Sequence, residues 1–295
     1  TDFLVQPIIE ASSITNTTNA LVYFTTPTPG AQNVVGVSAL GPIIKDAAHL
    51  PIAPLDSEDL VVTARISPSF APVTNVTLRY RIMFSNEVAV PMFDDGAHGD
   101  GAAGDQIYGV AIPASAFTNG QMIRYAVSAL DARGVASRIP IFNSPTDSDA
   151  YLGTVVRNPA IVTELPVFHW FVATPALAET ATGTRCSVFY NGELYDNVFV
   201  RIRGGTSRSW PKKSYKVELN EDHEFELFPG QPRVTEFDWN TTYTDKSYLR
   251  SVLTYEHQRD AGLPSPISFL AHLRQNGAFY NVTVYTEQPD KDFLR

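Results

Sequence analysis

Residues 203–219 read Arg-Gly-Gly-Thr-Ser-Arg-Ser-Trp-Pro-Lys-Lys-Ser-Tyr-Lys-Val-Glu-Leu. A β-type run over 198–202 enters a loop containing Arg203, Gly204, Gly205, Thr206 and Ser207. The chain leaves that loop into a second strand opened by Lys212 and Lys213, with Lys216 further along. Small and hydroxyl residues of this kind let several backbone N–H groups converge on one anion, and a nearby lysine adds a point charge. Holding a nucleotide polyphosphate requires that set of groups. The competing reading is a hairpin turn whose lysines are solvated guards on an edge strand.

A second group of residues with possible chemistry lies at 94–105. Asp94, Asp95, Asp100 and Asp105 sit in a loop carrying Gly96, Gly99, Gly101 and Gly104. Four carboxylates on flexible backbone could wrap a calcium ion, which takes oxygen ligands; the bidentate Glu that closes an EF-hand is missing. The alternative is a long turn in which the aspartates cap their own backbone. No Gly-X-Ser-X-Gly elbow and no His-Glu-X-X-His helix is present, and the six histidines are scattered, so hydrolase chemistry finds no support.

The elements around these residues are β-type over most of the chain. Residues 60–66 alternate, and in 76–83 Val76, Leu78, Tyr80 and Ile82 share one face. Further strands are expected at 88–93, 107–112 and 122–130, at spacings that predict a β-sandwich of immunoglobulin or fibronectin type over 55–152. From 153 the pattern becomes α+β. Strands at 186–190 and 195–203 flank Asn191-Gly192, a type I′ hairpin signal. The lysine strand follows at 213–219, then an amphipathic helix over 245–260. Tyr248, Leu249, Val252, Leu253 and Tyr255 supply most of its apolar face, Asp245 serves as N-cap, and Gly262 and Pro264 end it. Strands at 267–273 and 279–285 close over residues 275–277. Upstream, a short strand at 20–25 is broken by the two prolines and glycine of 26–33, and another proline-marked spacer covers 50–56.

Length and composition narrow the possible functions. A chain of 295 residues holds about two domains. A net charge of −9 with no offsetting basic block argues against a nucleic-acid binder. The single cysteine, Cys186, excludes a disulfide framework and a multi-cysteine zinc site, and its apolar run reads as a buried, inert thiol. No stretch approaches the roughly 18 consecutive apolar residues of a membrane helix. The chain starts at Thr1 without a signal peptide, which reads as a mature or cut piece. The Asn-X-Thr sequons at Asn16, Asn75, Asn240 and Asn281 are of a kind that arises by chance in Thr-rich β proteins.

Strand, Gly-rich loop, lysine-bearing strand, helix, two strands and a hinge-like segment is the order of a kinase-type N-lobe. There a strand lysine holds the α/β-phosphates and a helix glutamate pairs with it. The candidates are Lys213, whose side chain faces opposite to Lys212 and Lys216, and Glu256. Alternatively, Glu256 forms a surface pair with Arg259 at i+3.

The C-terminal region resembles the CotH kinase family, the spore-coat-protein-H-like atypical kinases. The motifs that carry the resemblance lie at 200–216, at 245–250 (Asp-Lys-Ser-Tyr-Leu-Arg), at Asn276-Gly277 and at 286–290 (Thr-Glu-Gln-Pro-Asp). Where the family's loop usually reads Gly-Asn-Ser-Ser, this chain has Gly204-Gly205-Thr206-Ser207. Residues 24–33 are similar to the end of a lamin-tail-like domain, so 1–54 are expected to be that end plus a linker. The 94–105 loop resembles a recurrent loop of the sandwiches found in such proteins.

The resemblance implies ATP and Mg²⁺ binding and phosphoryl transfer to Ser/Thr of a secreted or surface protein, in an exported and bacterial setting. It implies a nucleotide site of Arg203, Gly204, Gly205, Thr206, Ser207, Lys212, Lys213 and Glu256, with Glu287 in the hinge-like segment. The family's catalytic and metal-binding aspartates lie in a C-lobe beyond Arg295, so residues 153–295 are expected to be a truncated N-lobe that transfers no phosphate alone. The alternative is a non-catalytic surface or adhesion protein that uses the sandwich as its binding module.

Overall fold

The computed structural model describes residues 40–140 and 150–289. The strand expected at 20–25, the lamin-tail-like stretch and Asp290 lie outside them. The described chain is mainly β, as its alternation predicts.

Its first eight strands are β1 (Ile43–Leu50), β2 (Leu60–Ser67), β3 (Val73–Ile82), β4 (Val88–Pro91), β5 (Ile107–Ile112), β6 (Met122–Asp131), β7 (Ala136–Ile139) and β8 (Leu152–Val155). They form two sheets, β1-β2-β5 and β4-β3-β6-β7, with β8 also paired to β6. The period-2 pattern explains why these sheets face each other. Leu60, Val62, Ala64 and Ile66 of β2 are fully buried, as are Ile123, Tyr125, Val127 and Ala129 of β6, and they share one core. Each large side chain withdrawn from water in this way contributes roughly 1.5–3 kcal/mol. β1 lies in the stretch read as upstream module and linker. It pairs with β2 from Ile43↔Ser67 to Leu50↔Val61, so the sandwich sheet begins earlier than the prolines suggest.

The second half continues with β9 (Val167–Phe171), α1 (Pro175–Ala178), β10 (Thr184–Tyr190), β11 (Glu193–Arg203), β12 (Ser214–Glu218), β13 (Glu236–Asn240), α2 (Arg250–Asp260), β14 (Ser268–Gln275) and β15 (Ala278–Glu287). In this α+β region seven strands close a barrel in the order β10-β11-β12-β13-β15-β14-β9. β9 makes the closure by running antiparallel to β10 and parallel to β14. Asn191 and Gly192 both take positive φ, as a type I′ turn requires, and Asn276 and Gly277 repeat the geometry between β14 and β15. Cys186 is buried, and that burial pushes its thiol pKa upward, as expected of an inert thiol.

The helix departs from its prediction in start, cap and burial. Tyr248 sits at φ 63°, a left-handed conformation that interrupts the helical run, and α2 begins only at Arg250. Asp245 organises the turn before it, accepting hydrogen bonds from the N–H groups of Ser247 (3.1 Å) and Arg250 (2.8 Å). Of the five residues assigned to the apolar face only Val252 is buried; Tyr248, Leu249 and Leu253 are exposed.

Sandwich and barrel are joined by a mixed apolar and ionic contact. Met122 and Val155 of the sandwich pack with Phe171, Phe189 and Leu194 of the barrel. Gly153 lets β8 approach this closely, because a Cβ there would lie 2.7 Å from Leu194 Cδ2. Beside that cluster the buried Asp196 of β11 pairs with Arg124 of β6 at 3.4 Å and accepts the Tyr151 N–H at 3.0 Å.

One end of the barrel is stapled by Glu193. Its carboxylate accepts hydrogen bonds from His223 (2.9 Å), Tyr195 (2.8 Å) and both Nη atoms of Arg233, tying the segment between β12 and β13 to β11. Burial acts to raise the Glu193 pKa, but the hydrogen bonds from His223, Arg233 and Tyr195 outweigh it and hold it at about 2. A depressed carboxylate stabilises the fold above its unfolded value near 4.5 and loses that contribution as pH falls through about 2. At ~1.4 kcal/mol per pH unit the gap is worth ~3 kcal/mol, discounted to about 1–2 kcal/mol for the third of the side chain facing solvent. Acid titration of thermal stability is expected to show this loss between pH 4.5 and 2, and Glu193→Gln to remove it. Identical acid profiles for the two proteins would count against the staple.

Candidate functional site

β11 delivers Arg203 to the mouth of the Gly-rich loop, and β12 carries the chain away from it. At Gly204 the chain turns at φ 95°, and a Cβ there would come within 2.0 Å of Ser207 Oγ. Gly205 has open space where a Cβ would project, so its backbone is free to approach a ligand. Residues Thr206–Ser209 then form a single 3-10 turn, closed by Ser209 Oγ donating to the Thr206 carbonyl at 2.8 Å.

The three lysines occupy different environments. Lys212 is half-buried; its Nζ donates to Thr242 Oγ1 and the Val282 carbonyl and lies 4.8 Å from the centre of the Tyr248 ring. Burial lowers its pKa. Lys216 bonds Glu236 and lies 3.2 Å from Glu218. Burial acts to lower its pKa, but the two carboxylates reverse that and raise it. Lys213 is held only by the Arg208 carbonyl of the Gly-rich loop itself, at 2.8 Å. It is the lysine whose ammonium already sits against the loop and has no carboxylate partner among the described residues.

Arg203 reaches across β12 to the buried Asp238 of β13, and burial lowers the guanidinium's pKa. The second Asp238 oxygen, Oδ1, has no hydrogen-bond partner among the described residues. Trp210 at the end of the loop stacks near Tyr243, ring centres 5.8 Å apart. Asp238 and this aromatic pair escaped the sequence reading. The alternation in Glu236-Phe-Asp-Trp-Asn240 was the signal that could have placed Asp238 on an outward face.

The structure gathers Arg203, Gly204, Gly205, Thr206, Ser207 and Lys213 around one loop, whereas the Lys212 ammonium is bound to Thr242 and Val282. It does not bring Glu256 to them. Glu256 is exposed on α2 and has no ion pair among the described residues, neither with Lys213 nor with Arg259. Glu287 closes the β14–β15 pair instead, its Oε2 accepting the Ile267 N–H at 3.1 Å.

In the 94–105 loop the carboxylates are engaged by their own backbone. Asp100 accepts the N–H groups of Asp95, Gly96 and His98 at 2.7–2.9 Å, and Asp94 those of Gly104, Asp105 and Gln106. Asp105 accepts from Ala102 and Ile107, and Asp95 from Ala97 and the His98 ring. Among the described residues no three His, Cys, Asp or Glu side chains are placed to hold a metal ion.

A Gly-rich loop running into a lysine-bearing strand on a β-barrel defines a candidate phosphate-cradle site. The family model described as CotH kinase protein matches residues 200–295, from within β11 through the loop, α2, β14 and β15. That stretch is CotH-kinase-like, and β9 and β10, which complete its barrel, lie outside the match. No curated protein matches the chain. No helix among the described residues is long and apolar enough to cross a membrane.

Proposed function

We propose that the CotH-like segment binds ATP–Mg²⁺ as the nucleotide-holding part of an atypical protein kinase acting on Ser or Thr of an exported or surface protein. The observation that carries this reading is the family match, which includes a loop with open space at Gly205 and with Lys213 against it, lacking a carboxylate partner among the described residues. Backbone N–H groups of residues 204–207 would hold phosphate oxygens, and Lys213 would supply the charge. Magnesium, bound with the nucleotide, would supply neutralisation of the phosphate charge there.

Titration of ATP–Mg²⁺ into the full chain by calorimetry tests the assignment. Lys213→Ala is expected to weaken binding by at least about tenfold, the loss of one charge-assisted contact. Equal affinity for wild type and Lys213→Ala would rule Lys213 out as the phosphate ligand.

The scaffold reading draws on the pairing of Arg203 with Asp238 and of Lys216 with Glu236 and Glu218, which leaves those cations neutralised. In that case the sandwich, whose strand order supports an immunoglobulin-type reading, would be the binding module. No ATP binding at millimolar nucleotide would favour it.

A further inference from the structure

On the outer wall of the barrel, at its junction with the sandwich, several cationic or protonatable groups lie together with no acid opposite them. His169 of β9 is the register partner of Arg274 of the parallel strand β14, and His272 is the partner of Val167. Paired strands run about 4.8 Å apart, so these side chains on the outer face are close neighbours. His169 and Arg274 are each only 9% exposed. Even so, His169 Nδ1, His272 Nε2 and Arg274 Nε are all buried with no hydrogen-bond partner among the described residues. Arg274 Nη2 donates to the Gly277 carbonyl, and His272 meets the Phe279 ring edge-on at 4.9 Å. Among the described residues no carboxylate pairs with any of the three. Burial, then the charges of Arg274 and His272, bring the His169 pKa down to about 4.

A buried guanidinium beside two imidazoles, with three donors or acceptors unsatisfied, costs free energy unless something answers it. Structural ion pairs elsewhere in this chain do supply the answering acid, as Asp196 does for Arg124. Here His169 also lines an open cleft of 760 Å³ between sandwich and barrel, walled by Ile52, Val167 and Phe189, with Arg157 and Glu58 at its rim. The Glu58 carboxylate is taken by the Leu55 N–H at 2.8 Å. The Arg157 side chain is exposed and has no ion pair among the described residues. Clefts at domain junctions with an apolar wall and a few convergent polar groups are favoured ligand sites. This one uses a separate set of groups from the Gly-rich loop, although Lys212 reaches the neighbouring strand there, donating to the carbonyl of Val282, the register partner of His272.

We propose that this junction binds an oxyanion, a phosphate or carboxylate group, held by the Arg274 fork and the His169 and His272 rings, with Arg157 attracting it at the rim. An anion there would satisfy the orphaned nitrogens and link sandwich to barrel through its own contacts. The site is independent of the nucleotide reading and stands if that reading fails.

The test is a titration of the full 295-residue chain with inorganic phosphate and, separately, acetate, read by the imidazole ¹⁵N signals. The expected result is a saturable shift of His169 and His272, but not of the exposed His257. Phosphate acting alone marks a phosphoryl group as the natural source, and acetate acting alone marks a carboxylate. Arg274→Gln is expected to weaken the response by about tenfold, the loss of a charge-assisted fork. Should that variant not fold, His272→Gln, at a half-buried position, serves the same purpose. Shifts that stay linear with both anions, or that are unchanged in the folded variant, overturn the proposal.

Discussion

Asp196→Ala is expected to destabilise the folded chain by about 3–5 kcal/mol, the cost of leaving one member of a buried ion pair alone. Asp196 carries three separate loads from the barrel side of the junction. It accepts Ser187 Oγ at 2.5 Å within the barrel, the Tyr151 N–H at 3.0 Å, and the Arg124 guanidinium at 3.4 Å from the sandwich. Removing it leaves the Arg124 side chain, 13% exposed, with Nε already lacking a partner among the described residues and only the Met83 carbonyl, at 3.0 Å, still accepting from Nη2. The Tyr151 and Phe84 rings near that guanidinium, at 5.4 and 5.9 Å, hold it in place without supplying an acceptor.

Because the pair bridges the two units, the change should alter cooperativity as well as the midpoint. Calorimetric melting of the wild-type chain is expected to show sandwich and barrel unfolding together, and Asp196→Ala to show them separating. Asp196→Asn, which keeps an acceptor for Ser187 and Tyr151, should fall between the two. A midpoint within about 2 °C of wild type, equivalent to only ~1 kcal/mol in a chain this size, would remove Asp196 from this role.

The sandwich was more legible in the sequence than the barrel, and the reason lies in how many faces each strand buries. β2 and β3 bury one face, so Leu60 to Ile66 and Val76 to Ile82 alternate cleanly and announce themselves. β9 buries both: Phe168 and Trp170 point into the barrel, while Phe171 packs on the sandwich and His169 faces the junction. Its sequence, Val-Phe-His-Trp-Phe, therefore shows no period and carried no strand expectation. β13 alternates, but its outward residues are Glu236, Asp238 and Asn240, types depleted in strands. Without β9 and β13, nothing in the sequence showed that the strands of this α+β region close a barrel. At the site, loop chemistry was readable from Gly204 to Lys213, because glycine and lysine act locally. The Glu256 pairing was not, because it depended on where α2 packs, and Tyr248 resets the start of that helix.

Phe168→Ala is expected to cost about 3–5 kcal/mol, toward the top of the range for large-to-small core changes. The ring is fully buried at the centre of an aromatic cage: Tyr190 stacks on it at 4.2 Å, and Tyr285, Trp239, Phe225 and Phe237 stand 5.8–6.0 Å away. How much such a deletion costs depends on whether the neighbours can collapse into the space. These are rigid rings on three strands and the segment between β12 and β13, and Trp239 and Phe237 are fixed by their own contacts, 5.5 Å apart on β13. Collapse would need the barrel wall to move, so most of the cavity should remain. Phe168 also sits on β9, whose pairing with β14 closes the barrel and brings His169 beside Arg274. The same variant should therefore broaden the His169 signal and lose any anion response before the sandwich core melts. Phe168→Leu, which refills part of the volume, should recover about half the loss. A cost below about 1.5 kcal/mol for the alanine variant, in the range of volume-conserving swaps, would mean that the barrel centre repacks freely and that its closure does not depend on this ring.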